Sequence, residues 1–190
     1  MPTYAKPGSY QVTVTASGGG TKAVQVVPIT VSPPGYDFDS GTQGWQAGQN
    51  TSAVAEVTST ANGPGTCVAG GCLQASGDDV PATTVRSAYV APTTPLNLSA
   101  ASTLSLDFNC WGGVPDATGY QAIVTLTGTD GSVLTKTYAV SPNTWTPLSL
   151  ALTGWSSASS VSRIEVGFSA VGTTYSPWNG DFQLDDVTWQ

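Results

Sequence analysis

Residues 103–111 read Thr-Leu-Ser-Leu-Asp-Phe-Asn-Cys-Trp, an alternation typical of a β-strand with one buried face. Successive side chains of a strand point to opposite sides of its sheet. One side therefore carries Leu104, Leu106, Phe108 and Cys110. The other side carries Asp107, Asn109 and Trp111. This stretch predicts a core strand whose outer side is polar and ends in an indole.

The same alternation recurs along the chain, with turn signals between the runs and no sustained helical period. At 162–170 the apolar residues face inward and leave Arg163 and Glu165 outside. In the last run Gln183 faces outward. We predict strands near 36–39, 45–47, 52–59, 72–76, 84–91, 103–111, 119–127, 133–140, 144–152, 162–170 and 180–189. Many short strands at regular spacing indicate an all-β, two-sheet sandwich.

The first 34 residues form a separate segment. Two alternating runs, 10–15 and 23–31, flank a Ser-Gly-Gly-Gly-Thr stretch at 17–21 that predicts a hairpin. Residues 4–15 (Tyr-Ala-Lys-Pro-Gly-Ser-Tyr-Gln-Val-Thr-Val-Thr) resemble the C-terminal strands of a PKD domain, an immunoglobulin-like sandwich of bacterial extracellular enzymes. The Pro-Pro-Gly at 33–35 predicts a stiff linker. We therefore expect a partial PKD-like β-segment over 1–34 and a second domain over 36–190.

The second domain opens with Tyr-Asp-Phe-Asp-Ser-Gly-Thr-Gln-Gly-Trp at 36–45 and closes with Gly-Asp-Phe-Gln-Leu-Asp-Asp-Val-Thr-Trp at 180–189. Together these resemble the first and last strands of the jelly-roll carbohydrate-binding modules of the galactose-binding-like superfamily. The resemblance covers essentially all of residues 36–190. It implies a two-sheet jelly-roll β-sandwich and a non-catalytic role in binding glycans, and it leaves the glycan itself open.

Composition excludes several other functions. The chain has 5 Lys and Arg against 12 Asp and Glu, a net charge of −7, and its basic residues are scattered. Such a chain cannot neutralise a run of phosphates, so we expect no nucleic-acid partner. No stretch approaches the length of a membrane span. The complete lack of histidine removes Ser-His-Asp and Cys-His catalytic arrangements and histidine metal sites.

The three cysteines favour a local disulfide. Cys67 and Cys72 bracket a loop of small residues, whereas Cys110 is in phase with the buried face of its strand. We predict a Cys67–Cys72 bridge and a free, buried Cys110, with pairings to Cys110 as the alternative. A disulfide predicts an oxidising compartment and hence a secreted, extracellular protein.

The resemblance also implies a structural calcium ion. In modules of this type an acid of the first strand and an aspartate of the last usually hold it, and Asp39 and Asp185 occupy the matching positions. Carboxylates with loop carbonyls suit calcium. The alternative is that both acids are solvated surface groups. Strand alternation predicts that Asp186 points to the opposite side from Asp185, so the two would not form a glycosidase dyad.

Proteins bind sugars through hydrogen bonds from polar groups to the hydroxyls and by stacking flat aromatic rings on the sugar ring. The candidate binding residues are Trp111, Tyr120, Trp178, Asn109, Asp107, Arg163, Glu165 and Gln183. For the three aromatic residues ordinary packing is an equal alternative. Arg163 and Glu165 would, in the alternative, simply pair with each other.

We therefore expect a monomeric, non-catalytic module that binds a neutral polysaccharide and is covalently linked to a catalytic domain of a polysaccharide-degrading enzyme. The alternative is a structural spacer or adhesion domain without a sugar site. Anionic glycans are disfavoured because cationic residues are few and the net charge is negative.

Overall fold

The computed structural model describes residues 8–31, 34–58, 65–68, 70–172 and 177–190. It divides the chain into two units, Met1–Pro34 and Gly35–Gln190. The regular secondary structure of the described residues is strand apart from one 3₁₀ turn, which confirms the predicted all-β class. No helix in this described part is long and apolar enough for a membrane span.

The first unit contains a β-hairpin. Strands β1 (Gly8–Gly18) and β2 (Thr21–Val31) pair antiparallel along their whole length. The turn places Gly19 and Gly20 at φ 57° and 81°, a left-handed conformation that glycine adopts without steric cost. Residues 1–7 and 32 of the predicted PKD-like segment, and residue 33 of the predicted linker, lie outside the described residues. The PKD relationship stays a prediction.

In its described residues the second unit has thirteen further strands and one 3₁₀ turn, at Ser156–Ser159. The strands are β3 (Gly35–Tyr36), β4 (Gln46–Ala47), β5 (Thr51–Val57), β6 (Cys72–Gly77), β7 (Val80–Pro81), β8 (Arg86–Val90), β9 (Thr103–Cys110), β10 (Ala117–Gly128), β11 (Val133–Val140), β12 (Thr146–Ala151), β13 (Val161–Gly172), β14 (Pro177–Trp178) and β15 (Phe182–Trp189). Their positions follow the predicted runs closely. Only β7 and β14 were not expected.

Two antiparallel sheets form the sandwich. A five-stranded sheet has the order β11-β10-β13-β8-β4, and a six-stranded sheet has the order β12-β9-β15-β6-β5 with β3 beside β15. The inward side chains of both sheets are fully buried and form one core. That core includes the predicted inward residues of β9, β13 and β15. The alternation read from 103–111 therefore identifies the buried side of its strand.

An aromatic cluster fills one end of this core. Phe168 lies 5.7–6.1 Å, centroid to centroid, from each of four other rings. Those rings belong to Phe108, Tyr120, Trp178 and Phe182. Such offset and edge-on contacts add about 0.5–1.5 kcal/mol per pair beyond simple burial.

A buried arginine organises the loops at the same end. Arg86 is fully buried, and its guanidinium donates to the carbonyls of Thr84, Asp78, Val80 and Trp178. It also lies 5.2 Å from the centroid of the Trp178 ring. These contacts tie the short β7–β14 ribbon to the sandwich. Burial lowers the pKa of Arg86, an effect opposed by the charges of Asp78, Asp79 and Asp181.

The structure confirms the predicted cysteine pairing. Cys67 and Cys72 form a disulfide with a Cα–Cα distance of 5.5 Å, and Cys110 is a buried free thiol. Burial raises the pKa of Cys110 to about 12. The thiolate, which is the reactive form, is therefore scarce at neutral pH.

We expect thiol titration of the native protein at pH 8 to detect no rapidly reacting group. Denaturation without reductant should then expose one thiol per chain, because Cys110 loses its apolar surroundings while the disulfide persists. Three thiols after denaturation would contradict the pairing, and one fast-reacting thiol in the native protein would contradict the burial of Cys110.

Candidate functional site

A row of polar side chains crosses the outer face of the five-stranded sheet. The strand register places one residue from each strand directly beside the next. From edge to edge the row is Gln46, Tyr89, Glu165, Thr125 and Thr135. Four inter-strand steps of about 4.8 Å make it about 19 Å long. We call these five residues the polar row.

Hydrogen bonds and stacking connect one half of the polar row. The Arg163 Nε donates to Glu165 Oε2 at 2.9 Å, and the Arg163 guanidinium lies 3.5 Å from the centroid of the Tyr89 ring. The Tyr89 hydroxyl donates to Gln46 Oε1 at 3.0 Å. The Arg163 and Glu165 side chains keep 33% and 21% of their surface exposed. The pair predicted as the alternative to ligand binding does form, yet both partners stay accessible.

A strip of residues with small or apolar side chains runs parallel to the polar row on the same face of the sheet. Gly167 lies between Ser87 and Ile123 in register, and its missing Cβ would be 2.9 Å from Val85 Cγ1. Beyond this strip the Gln121 amide donates to Ser169 Oγ at 3.0 Å. Val85 thus lies where a side chain of Gly167 would project, and Ser87 and Ser169 are 1% and 0% exposed, so this strip is covered and the polar row is the accessible part of the face.

Three of the predicted ligand-binding residues lie instead on the outer face of the six-stranded sheet, namely Asp107, Asn109 and Gln183. Asn109 pairs in register with Gln183, but they are 1% and 0% exposed. Residues 65–68 lie against this side of the sheet, since the Val68 N–H donates to Asp185 Oδ2 and the Trp145 indole donates to the Thr66 carbonyl. Asn109 and Gln183 thus point outward as predicted but are covered in this fold, and their contact with a ligand stays a prediction.

A β-bulge changes the expected orientation of Asp186. The register with β9 shifts between Asp185 and Thr188, and Asp186 adopts φ 46°. Asp186 consequently lies on the same side as Asp107, and both line a depression of about 250 Å³. Burial, followed by the charge of Asp186, raises the pKa of Asp107. The predicted separation of Asp185 and Asp186 to opposite sides is wrong, because the bulge interrupts the two-residue period.

The three predicted stacking aromatics lie at one end of the sandwich. Tyr120 is 9% exposed within the aromatic cluster, and its hydroxyl accepts from the backbone N–H groups of Gly113 and Val114. Trp178 is partly buried against the same cluster. Only Trp111, at 38% exposure, presents a substantial free surface. None of the three belongs to the polar row.

The two predicted calcium ligands contact the same loop. Asp39 Oδ1 accepts from the Gly71 N–H at 2.9 Å. Asp185 Oδ2 accepts from the Val68 N–H at 3.2 Å. Both carboxylates therefore hold the disulfide-bearing segment that covers the six-stranded sheet.

The surroundings of this loop test whether calcium suits the site. A Cβ on Gly71 would lie 2.9 Å from Glu56 Oε1 and against the Phe38 carbonyl oxygen, and one on Gly70 would overlap Asp39. Oxygen atoms thus crowd around these glycines, and oxygen is the ligand calcium takes. Among the described residues no three acidic, histidine or cysteine side chains group closely enough to hold a metal by themselves. Calcium would need backbone carbonyls beside Asp39 and Asp185.

No protein-family model and no curated protein matches this chain in sequence. Solved structures do match it in fold. Solved carbohydrate-binding modules share this β-sandwich. One, from work on the promiscuous specificity of β-sandwich carbohydrate-binding modules, is 16% identical with a TM-score of 0.55, covering 98% of this chain and 76% of that one. A family 28 module specific for non-crystalline cellulose is 17% identical with a TM-score of 0.58, covering 86% and 99%.

An exo-β-agarase is a third structure with this fold. It is 12% identical with a TM-score of 0.57. The match covers 82% of this chain but only 25% of the agarase. At such identities the likeness establishes the jelly-roll β-sandwich fold.

Tyr89 and Gln46 of the polar row were missed by the sequence reading. Tyr89 alternates with Ala88 and Val90, both buried, so the same two-residue period would have placed it on the outer face. Gln46 lies in a strand of two residues, which is too short to show a period. The strand pairing that places both residues beside Glu165 joins segments far apart in sequence, so no local pattern indicates it.

Proposed function

We propose that residues 35–190 are a non-catalytic carbohydrate-binding module whose ligand lies on the outer face of the five-stranded sheet. The observation that carries this proposal is the polar row, in which an amide, an aromatic ring, a carboxylate and two hydroxyls follow one another across the sheet, with the Arg163 guanidinium beside it. Tyr89 and Arg163 supply flat surfaces for a sugar ring. Glu165, Gln46 and the threonines supply acceptors and donors for hydroxyls.

The charges on this face favour a neutral glycan. Arg163 and Glu165 are paired with each other, so the outer face carries opposite charges that cancel locally. An anionic sugar would compete with Glu165 for the guanidinium and would meet the overall charge of −7. Hydroxyl groups can instead bond to both partners without separating them.

The same proposal extends to the parent protein. The disulfide supports a secreted, extracellular location, because such bonds persist in oxidising compartments. We propose that the module serves as an accessory to a covalently linked polysaccharide-degrading catalytic domain, and that it is a monomer. A spacer or adhesion domain is the competing function.

Affinity electrophoresis of the purified chain tests the proposal. Gels containing a soluble β-glucan, a galactomannan, a xylan or a galactan should show retardation by at least one neutral polysaccharide. An anionic polysaccharide such as polygalacturonate serves as the control and should not retard the chain. Equal mobility in all gels, with calcium present, would favour the spacer function.

We also propose a calcium ion at Asp39 and Asp185. An ion that binds only the folded state raises stability by about 2.7 kcal/mol at a hundredfold excess over its Kd. Thermal melts should therefore fall on adding chelator and recover with calcium. The Asp39→Ala/Asp185→Ala variant should melt lower and ignore chelator. A wild-type melt that chelator leaves unchanged would show that the two carboxylates bind only the loop N–H groups.

A further inference from the structure

A pocket of about 400 Å³ lies at the opposite end of the sandwich from Trp111. Its walls are residues 99–102, which precede β9, and residues 152–159, which connect β12 to β13. The chain end lies beside it, where Gln190 O accepts from the Ser102 N–H at 2.6 Å. The pocket is thus separate from both the polar row and the calcium-site loop.

Backbone hydrogen bonds hold the two walls together. The Leu152 N–H donates to Ser102 O at 2.9 Å, and the Leu98 N–H donates to Ala158 O at 2.7 Å. A tight turn, with Gly154 at φ 84° and the Trp155 N–H on Leu152 O at 3.1 Å, shapes the rim. These backbone bonds fix the shape of the walls, and a pocket of fixed shape lowers the entropy cost of binding.

The lining of the pocket is uncharged and rich in hydroxyl groups. No Asp, Glu, Lys or Arg is among the lining residues, all of which are described. The hydroxyl groups belong to Ser99, Ser102, Thr153, Ser156 and Ser159. Hydroxyls donate and accept hydrogen bonds, so they match the hydroxyls of a polyol, whereas a charged ligand would lose hydration without a counter-charge. The lining therefore selects a neutral, hydroxylated ligand.

Trp155 adds an aromatic surface to the lining of the pocket. Its ring is partly buried against the core and lines the pocket. The indole Nε1 is shielded from solvent, and no described residue accepts its hydrogen. The exposed part of the ring, and not the shielded Nε1, is therefore what a sugar in the pocket would contact.

We propose that this pocket is a second binding site, for a single neutral sugar unit such as the end of a glycan chain. Its volume is at the lower end of the range of about 300–1,000 Å³ found for ligand pockets, which suits one sugar ring. The site acts independently of the polar row, because the two share no residue.

Two-dimensional NMR of the indole N–H groups tests this site. The Trp155 signal is assigned by its loss in Trp155→Phe, and glucose, galactose, mannose and xylose are titrated in turn. We expect one sugar to shift this signal saturably in the millimolar range, while glycerol does not. Ala100→Tyr, which places a ring at the exposed rim, should weaken the response at least tenfold.

Two control variants separate this site from the proposed function. Thr94→Tyr, exposed on the same connection but outside the pocket, should respond as the wild type does. Tyr89→Ala/Glu165→Gln, which removes the sheet-face site, should also keep the Trp155 response. A Trp155 signal that no sugar moves, that glycerol moves equally, or that Ala100→Tyr leaves fully responsive would overturn the second site.

Discussion

Phe168→Ala is expected to lower the free energy of unfolding of the sandwich by about 3–5 kcal/mol. Phe168 is fully buried and contacts four other rings, so truncation removes apolar burial and leaves a cavity between both sheets. The surrounding rings belong to strands of both sheets and of the β7–β14 ribbon, so filling the cavity would require several elements to shift. Chemical denaturation followed by tryptophan fluorescence measures the change.

Val133→Thr is the matched control for this stability prediction. Val133 begins an edge strand and is 58% exposed, so a β-branched polar replacement should change stability by less than about 0.5 kcal/mol. Phe168→Leu should lie between the two, because leucine refills part of the cavity. A Phe168→Ala loss below about 1 kcal/mol would mean that the two sheets do not share this cluster.

Tyr89→Ala/Glu165→Gln is expected to weaken glycan affinity by about a hundredfold. Loss of one stacking surface and of one charge-assisted hydrogen bond should each cost roughly tenfold, or about 1.4 kcal/mol. Neither residue is in the core cluster, so the melting temperature should change little. Affinity electrophoresis against the retarding polysaccharide measures the loss, with the melt as a check on folding.

Trp111→Ala is the informative comparison for that double variant. Trp111 is the most exposed of the predicted aromatics, but it lies at the end of β9 and outside the polar row. If the ligand binds on the outer face of the five-stranded sheet, Trp111→Ala should leave the retardation nearly unchanged. If Trp111→Ala abolished binding while Tyr89→Ala/Glu165→Gln retained it, the ligand would bind at the end of the sandwich, as the sequence alone suggested.

The sequence predicts those parts of the fold that depend on a local pattern of residues. The alternation at 103–110 depends only on the two-residue period of a strand, so it correctly separates Phe108 from Asp107. The disulfide follows from short spacing in the same way. The bulge at Asp186 was not predicted, because it interrupts the two-residue period at a single position. Asp186 adopts φ 46° there, and no turn signal in the neighbouring sequence indicates this conformation.

The candidate site was harder to predict for two reasons. It depends on how strands distant in sequence pair with each other, and on which outward residues a loop covers. Asn109 and Gln183 do face outward from their strands, but a loop that is distant in sequence from both covers them, so they are buried although the alternation places them outside. Tyr120 alternates inward and joins the aromatic cluster. Arg163 and Glu165 were placed on the correct side, and their neighbours Tyr89 and Gln46 come from strands distant in sequence.

Mapping of the bound glycan by amide NMR tests the central claim most directly. An oligosaccharide of the retarding polysaccharide is titrated into the labelled, full chain. The account predicts perturbations concentrated on β4, β8, β10 and β13 around Gln46, Tyr89 and Glu165, and these should vanish in Tyr89→Ala/Glu165→Gln. Perturbations confined to the Trp111 end of the sandwich, or none with any neutral glycan, would contradict it.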